Sequence, residues 1–164
     1  MSPDNRPHPG AVQLREARVE DADRLTRLFL DSRAAAMPYL ARVHSDEATL
    51  AWMTHVVLPG TDVWVAELRD EAGVVEPVGF VSVDGEELEH LYLRPDARRR
   101  GIGTLLLAKA RERSPEGLAL HAFQRNAEAR AFYERHGFTA VEFDDGSRNE
   151  ENEPDVRYRW SPSD

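Results

Sequence analysis

The residues best suited to chemistry stand where a predicted strand gives way to a predicted helix. Gly101 and Gly103 follow a run of three arginines that begins at Arg98. Glycines at such a turn let a ligand approach the main chain, and the amides and dipole of the following helix attract an anion. The arginines add positive charge in a chain whose net charge is −9. The segment therefore indicates a diphosphate site, whereas the glycine pair alone would favour an ordinary helix start.

Two common phosphate-binding motifs do not fit this segment. A dinucleotide-binding turn would need a third small residue where Leu106 stands, and an acidic residue about 20 positions further on. The residues there, around His121 and Ala122, are not acidic. A P-loop would need a Gly-Lys-Ser/Thr sequence, which the chain lacks. Both classes of phosphate site are therefore excluded.

A second candidate feature is the predicted helix that begins at Asn126. Asn126 and Tyr133 are seven positions apart, so they lie on one face of that helix, about 10 Å apart along its axis. Each has an ordinary structural explanation, Asn126 as the N-cap and Tyr133 as a core aromatic residue. Together they could form hydrogen bonds with different parts of one long ligand.

The elements that would position these residues follow from changes in hydrophobic periodicity. Helices are predicted to begin after the N-caps Asp21, Ser45 and Asn126, and at the turn that contains Gly101. Asp84-Gly85 predicts a tight hairpin. Strands are predicted at 12–17, 63–68, 78–83, 87–93, 118–123, 138–143 and 156–160. The order β-α-α-β-β-β-α-β-α-β-β indicates one α/β domain with a mixed sheet.

The composition limits the class of protein. A chain of 164 residues, 41% of them hydrophobic, can form one domain with a substantial core. We expect residues 1–10 to be a flexible tail and residues 11–161 to be the domain. The lack of cysteine excludes disulfides, thiolate metal sites and a cysteine nucleophile. A pI near 5.2 argues against nucleic-acid binding.

Location and assembly follow from the same composition. No apolar run reaches the length of a signal peptide or a membrane span. We therefore expect a cytoplasmic protein without a membrane partner. The sequence leaves a homodimer open.

The two candidate features resemble the signature motifs of the GNAT superfamily of N-acetyltransferases. Arg98-x-x-Gly101-x-Gly103 is similar to the pyrophosphate loop of that family, written Gln/Arg-x-x-Gly-x-Gly/Ala. The segment 126–138 is similar to its Asn-x-x-Ala-x-x-Phe-Tyr-x-x-x-Gly-Phe helix. The resemblance covers residues 12–160, and the element order agrees with it. It implies a single GNAT-like α/β (α+β) domain, with a mixed, mostly antiparallel sheet of six to seven strands, four flanking helices and a split between two strands.

The resemblance also implies acetyl-CoA as co-substrate and no metal. Main-chain groups of Leu91 and Leu93 would bind the pantetheine arm with Asn126, and Tyr133 would protonate the departing thiolate. Amides of residues 99–104 would hold the pyrophosphate. The cofactor-binding residues so implied are Leu91, Tyr92, Leu93, Arg98, Arg99, Arg100, Gly101, Ile102, Gly103, Thr104, Asn126, Phe132 and Tyr133.

The reaction would be direct attack of a primary amine on the thioester, and it needs a base. An alkylammonium group titrates near 10.4, so only about one amine in a thousand is nucleophilic at neutral pH. Glu89 is the first candidate, because strand alternation places its side chain on the face of Leu91 and Leu93. His121 on the next strand is the second. Glu89 could equally be a rim charge, and His121 a hydrogen-bonded sheet residue.

The acceptor would bind between two connecting segments. The acidic run before the last strand, with Glu150, Glu151 and Asp155, would favour a cationic small molecule or a peptide N-terminus. Tyr39 and His44 would form the opposite wall. The alternative for the acidic run is a solvated loop.

Two other functions stay open at this point. One is a CoA-binding sensor without turnover, and the other is an acyltransferase with a different acyl donor or acceptor. A sensor would need neither Tyr133 nor Glu89, so these residues favour the enzyme.

Overall fold

A computed structural model describes residues 12–98 and 100–162 of the chain, so the predicted tail lies outside the described residues. The fold is one seven-stranded mixed sheet with four main helices, which confirms the expected architecture. The strands are β1 Val12–Glu16, β2 Asp62–Arg69, β3 Val75–Asp84, β4 Glu87–Leu93, β5 Leu118–Phe123, β6 Thr139–Asp144 and β7 Asp155–Trp160. The helices are α1 Ala22–Ala36, α2 Asp46–Trp52, α3 Ile102–Arg113 and α4 Ala127–Arg135. A π-helical turn, Met53–Val57, and a last turn, Leu58–Gly60, continue α2.

The sheet has the strand order β1-β2-β3-β4-β5-β7-β6 and carries a core on each face. One core joins α1 and the π turn to β2 and β3, with Leu25, Met53 and Phe80 fully buried. The other joins α3 and the end of α4 to the sheet, with Leu106 and Leu118 at its centre. Helices on both faces explain why β3 is nearly all apolar.

Local sequence patterns predicted most of the helix ends correctly. The Ser45 hydroxyl accepts the Ala48 amide at 3.1 Å, and the Asn126 side chain accepts the Ala129 amide at 3.2 Å, so both predicted N-caps are confirmed. Gly137 follows α4 with φ of +88°, as expected of a C′ glycine.

Asp21 is the residue that precedes α1, as predicted, but its side chain does not cap that helix. A 3-10 turn, Val19–Asp21, precedes α1, and the Asp21 carboxylate accepts the Arg18 amide at 2.7 Å. The same carboxylate binds the Arg15 guanidinium, with its two bonds at 2.8 and 2.9 Å, and this contact chiefly lowers the pKa of Asp21. Asp21 therefore ties β1 to the start of the helix instead of capping α1.

The hairpin between β3 and β4 forms as predicted, but its two-residue turn is Gly85-Glu86, one position later than expected. β4 then pairs with β5 in parallel at a single register position, Glu87 with Ala119. Beyond that position the two strands separate. The expected split therefore lies between β4 and β5. Among the residues that the structure describes, no helix is both long and apolar enough to cross a bilayer.

Candidate active site

A cavity of about 770 Å³ opens where β4 and β5 separate, and we call it the main cavity. The end of α1, β4, the turn before α3 and one face of α4 form its walls. The lining residues are Ser32, Ala36, Met37, Leu91, Tyr92, Leu93, Arg98, Gly101, Gly103, Thr104, Asn126, Ala127, Glu128, Ala129, Ala131, Phe132, Tyr133 and Arg135.

The structure brings together most of the residues that the sequence assigned to cofactor binding. The exceptions are Arg99, Arg100 and Ile102. Arg99 lies outside the described residues, and Arg100 is exposed away from the cavity lining. The Ile102 side chain is buried in the core, so only its main chain is available to a ligand.

The edge of β4 that faces the main cavity carries free main-chain groups. The Arg94 amide donates to the Val78 carbonyl on β3 at 2.8 Å. Because hydrogen bonds alternate in direction along an antiparallel strand, the N–H and C=O groups of Leu91 and Leu93 point the opposite way, toward the split. β5 does not pair with β4 at that level. These groups are therefore available to a ligand that lies in the split.

The mouth of the main cavity contains the start of α3. Gly101 is the N-cap residue and has φ of +80°, a left-handed conformation that favours glycine. A Cβ atom at Gly103 would lie 3.3 Å from Phe132 and 3.6 Å from Leu93, so glycine lets the helix start pack against the cavity wall. The first amides of a helix lack carbonyl partners within it. Arg98 adds charge here, although it also pairs with Glu128 at 3.2 Å.

Tyr133 lies at the inner part of α4 with only 8% of its surface exposed. Its ring packs edge-on against Phe132 and Phe138, with centroids 5.2 and 5.5 Å away. Burial, and secondarily the nearby Tyr92, raise the pKa of Tyr133 well above its usual value. The raised pKa keeps the proton on the hydroxyl oxygen at neutral pH. Because this hydroxyl has no hydrogen-bond partner among the described residues, it is available to a ligand in the main cavity.

The sequence placed Glu89 on the face of Leu91 and Leu93, and this placement is wrong. β3 pairs with β4 in a register that skips Glu89, which is the extra residue of a β-bulge. Leu88, Leu91 and Leu93 consequently contact the same core, a spacing that simple alternation does not allow.

Glu89 instead lies beside the split, in a group of charged side chains. Partial burial, followed by repulsion from Glu87, raises the pKa of Glu89, and attraction to His121 and Arg157 opposes that rise. His121 is exposed on β5 and lines a second cavity, of about 610 Å³, which Phe123 and Asp155 also line. The two candidate bases are thus neighbours at one edge of the split.

The predicted acceptor walls are joined by side-chain contacts across long sequence separations. His44 Nε2 lies 2.7 Å from a carboxylate oxygen of Glu150, and Arg33 of α1 lies 3.3 Å from Glu151. Both carboxylates therefore have a partner in the fold, a histidine for Glu150 and an arginine for Glu151, and are not free in a solvated loop. They hold the segment before β7 against α1 and the loop that follows it.

A third contact of this kind involves Tyr39. Arg125 binds Glu153 through two hydrogen bonds of 2.7 and 2.8 Å, and its guanidinium lies 3.9 Å from the centre of the Tyr39 ring. Asp155 accepts a hydrogen bond from the Asn149 amide at 3.3 Å. Tyr39 thus supports the wall through Arg125, and neither Tyr39 nor Asp155 lines the main cavity.

Sequence reasoning missed several residues of the site. Arg33 and Arg125 were missed because their partners are distant in sequence. Ser32, Ala36 and Met37 line the main cavity from the end of α1. The small residues of the run 34–36 were a signal for close approach at this helix end, and Met37-Pro38 marked where it stops.

A mixed sheet split between two parallel strands, with a glycine-bearing helix start at the mouth of the split, defines an acyltransferase class of fold. Comparison with known proteins agrees. Residues 59–140 match the family described as the acetyltransferase (GNAT) domain. The peptidyl-lysine N-acetyltransferase YjaB of Salmonella typhimurium is 31% identical over 127 residues, which cover 77% of this chain and 83% of the relative. The chain therefore belongs to the GNAT family and is an N-acetyltransferase.

Two further proteins are similar to this chain. The peptidyl-lysine N-acetyltransferase YiaC of Escherichia coli K12 is 30% identical over 130 residues, covering 79% of this chain and 84% of that one. The structure of yncA from Salmonella typhimurium, solved with its cofactor acetyl-CoA, has a TM-score of 0.67 at 18% identity. That match covers 93% of this chain and 95% of yncA, and it supports the fold.

Proposed function

We propose that this protein transfers an acetyl group from acetyl-CoA to the side-chain amine of lysine in a protein or peptide. The names of two relatives at 30–31% identity support this acceptor. The observation that carries the donor assignment is the main cavity, in which a free strand edge, a helix start and a buried tyrosine line one continuous space.

The residues of the main cavity fit acetyl-CoA. The free main-chain groups of Leu91 and Leu93 suit the amides of a pantetheine arm, as they would suit another strand. The amides of Gly103 and Thr104 suit a pyrophosphate at the mouth of the cavity, because they lie in the first turn of α3, at the positive end of the helix dipole. Arg98 and Arg135, which also line the cavity, suit the remaining negative charge.

Acetyl-CoA supplies an acetyl thioester that an amine can attack directly. The Leu93 amide points into the split and provides a donor for the oxygen that gains negative charge during acyl transfer. The Tyr133 hydroxyl provides a proton for the sulfur that leaves. A thiol reference pKa of about 8.5 makes the thiolate a moderate leaving group, which a nearby donor improves.

The acceptor ammonium group must lose a proton before its nitrogen can attack, and this proton needs an acceptor at the edge of the split. We assign this role to Glu89, directly or through water, because the raised pKa makes its carboxylate a stronger base. His121 is the alternative on the neighbouring strand, and it would act as a neutral imidazole. His121 lines the second cavity, so the amine would approach from that direction.

Three peptides test the proposed acceptor. The first has a blocked N-terminus and one lysine, the second has arginine in place of that lysine, and the third has a free N-terminus without lysine. Acetyl-CoA and the protein should release thiol and add one acetyl group with the first peptide only. Preferential acetylation of the third peptide, or of a polyamine, would refute lysine as the acceptor. Absence of thiol release with every amine would support the sensor.

A further inference from the structure

A serine occupies a core position of α1. The buried residues of this helix include Leu25, Leu28, Phe29 and Ser32. Their spacing of i, i+3, i+4 and i+7 places them on one face of the helix, the face that packs against the sheet. The first three are large and apolar, whereas Ser32, with only 7% of its surface exposed, is polar. A polar residue in a buried apolar stripe indicates a role other than packing.

The Ser32 hydroxyl has no hydrogen-bond partner in the described part of the chain. A serine or threonine within a helix can donate to the carbonyl four residues earlier, and Thr49 and Thr54 do so at 2.8 and 2.7 Å. Ser32 instead lines the main cavity. Because a buried hydroxyl without a partner is unfavourable, this one indicates a point at which a ligand binds.

Ser32 lies at the end of the main cavity opposite the start of α3. The helices α1 and α3 pack on opposite faces of the sheet, so the main cavity passes through the split. Tyr92 lines the cavity on the α1 face, where its ring centre lies 4.9 Å from that of Phe29, one turn before Ser32. Tyr92 also interacts electrostatically with Tyr133, the proposed proton donor. Ser32 therefore belongs to the reaction end of the cavity, away from the pyrophosphate.

The acceptor would pass Ser32 on its way to the thioester. The next residue in the chain, Arg33, has its guanidinium 5.9 Å from the ring centre of Phe123. Phe123 lines the second cavity together with His121, on the side from which the amine would approach. The pantetheine arm would bring the acyl group from the opposite face of the sheet. The two reactants would thus meet beside Ser32.

The amine nitrogen is the reacting atom that still lacks a positioning contact. In the proposed reaction the Leu93 amide serves the thioester oxygen, and the Tyr133 hydroxyl serves the sulfur. A serine oxygen has two lone pairs, so it can accept a hydrogen bond from an amine or from its ammonium form. A nucleophile that is held in the attacking geometry reacts faster than one that rotates freely.

We propose that the Ser32 hydroxyl oxygen accepts a hydrogen bond from the acceptor amine and orients the lone pair of its nitrogen toward the thioester carbon. The bonds that form and break are those of the proposed reaction, and Ser32 exchanges no proton with the substrate. This inference rests on the proposed acceptor class and assigns a residue that binds the amine.

The substitution Ser32→Ala tests the contact without adding bulk. We expect kcat/KM for a lysine peptide with a blocked N-terminus to fall by about 3- to 10-fold, the value of one hydrogen bond. The Kd of acetyl-CoA should stay within about 2-fold, because the lost contact is with the amine. The melting temperature of the free protein should stay the same or rise, because alanine removes an unpaired buried hydroxyl and favours the helix. A serine kept only for its small size predicts unchanged kcat/KM, and that result would refute the proposal.

The matched control is Thr26→Val. The Thr26 hydroxyl is also buried on α1 without a partner among the described residues, but Thr26 lines neither cavity. This variant should keep kcat/KM within about 2-fold of the wild type. Equal losses in Thr26→Val and Ser32→Ala would show a general effect of α1 and would overturn the role of Ser32.

A binding measurement isolates the amine. The protein saturated with CoA, which cannot react, is titrated by calorimetry with the lysine peptide and with a peptide that has norleucine, a side chain without the amine, in place of lysine. The ratio of the two affinities should shift against lysine by about 3- to 10-fold in Ser32→Ala. Equal ratios in the wild type and the variant would contradict the contact.

The acceptor class and the Ser32 contact can fail separately. Acetylation of the lysine peptide at equal rates by the wild type and Ser32→Ala would refute the contact and leave the acceptor class intact. If the wild type acetylates a polyamine and no lysine peptide, the acceptor class fails, and the two proteins are compared with that polyamine. A loss of kcat/KM in Ser32→Ala would then still support the contact with the amine, and equal rates would refute it. Absence of acetylation with every amine would overturn both proposals.

Discussion

The substitution Tyr133→Phe tests the proposed proton donor with little disturbance of the fold. It removes one hydroxyl group and keeps the ring that packs between Phe132 and Phe138. Because the hydroxyl has no partner among the described residues, its loss leaves no buried group there unsatisfied. We therefore expect the free energy of unfolding to change by less than about 1 kcal/mol.

The expected size of the kinetic effect follows from the two pKa values. The pKa of Tyr133 is raised above its usual 10.0 by burial, whereas a reference thiol titrates near 8.5. Complete transfer of the proton to the thiolate is therefore uphill by at least 1.5 pKa units, or about 2 kcal/mol. Tyr133 should act chiefly through a strong hydrogen bond as the sulfur leaves. We expect kcat to fall by about 10- to 100-fold, the lower part of the range for general-acid catalysis.

The assay is single-turnover acetylation of a lysine peptide, so that product release does not mask chemistry, together with calorimetric titration of acetyl-CoA. The control is Tyr158→Phe, because the Tyr158 hydroxyl binds Arg130 at 3.0 Å and lies outside the main cavity. That control should lose stability and keep its single-turnover rate within about 2-fold. A wild-type rate in Tyr133→Phe, with chemistry limiting, would refute the proton-donor role.

Two further perturbations test the mouth of the main cavity and the base. Gly103→Asp should abolish the rise in melting temperature caused by acetyl-CoA, because it adds a negative charge beside the helix start and a Cβ atom 3.3 Å from Phe132. Gly103→Ala is the uncharged control. Equal stabilisation of wild type and Gly103→Asp by acetyl-CoA would contradict the pyrophosphate assignment. Glu89→Gln should remove the acidic limb of the pH dependence of kcat/KM, which in the wild type rises as pH increases through the raised pKa and Glu89 ionises. Persistence of that limb in the variant would point to another base, with His121→Gln as the next test.

Most residues of the main cavity could be predicted from the sequence, because the features that form it are local. Gly101 adopts φ of +80°, a conformation that favours glycine, so the residue type at this one position is itself a signal. The Asn126 cap depends on an amide three residues away, and Tyr133 follows on the same helix face. Such short-range interactions leave residue patterns that can be recognised without knowing the fold.

The hairpin and the base show where local reasoning begins to fail. Asp84-Gly85 located the turn to within one residue. It could not reveal that β4 carries one residue more than β3 at Glu89, because a bulge is a property of the pairing between strands. One extra residue reverses the alternation beyond it, so the predicted face of Glu89 was wrong although the strand was right.

The acceptor side was decided by the tertiary structure. Glu150 and Glu151 appeared in the sequence as part of an acidic run, yet their partners, His44 and Arg33, are more than 100 residues away. The same packing gives the Asp155 carboxylate, among the described residues, only the neutral side-chain amide of Asn149 as a partner. The charge that a carboxylate presents to a ligand depends on which cations the fold brings within about 4 Å of it, and chain composition does not contain that distance.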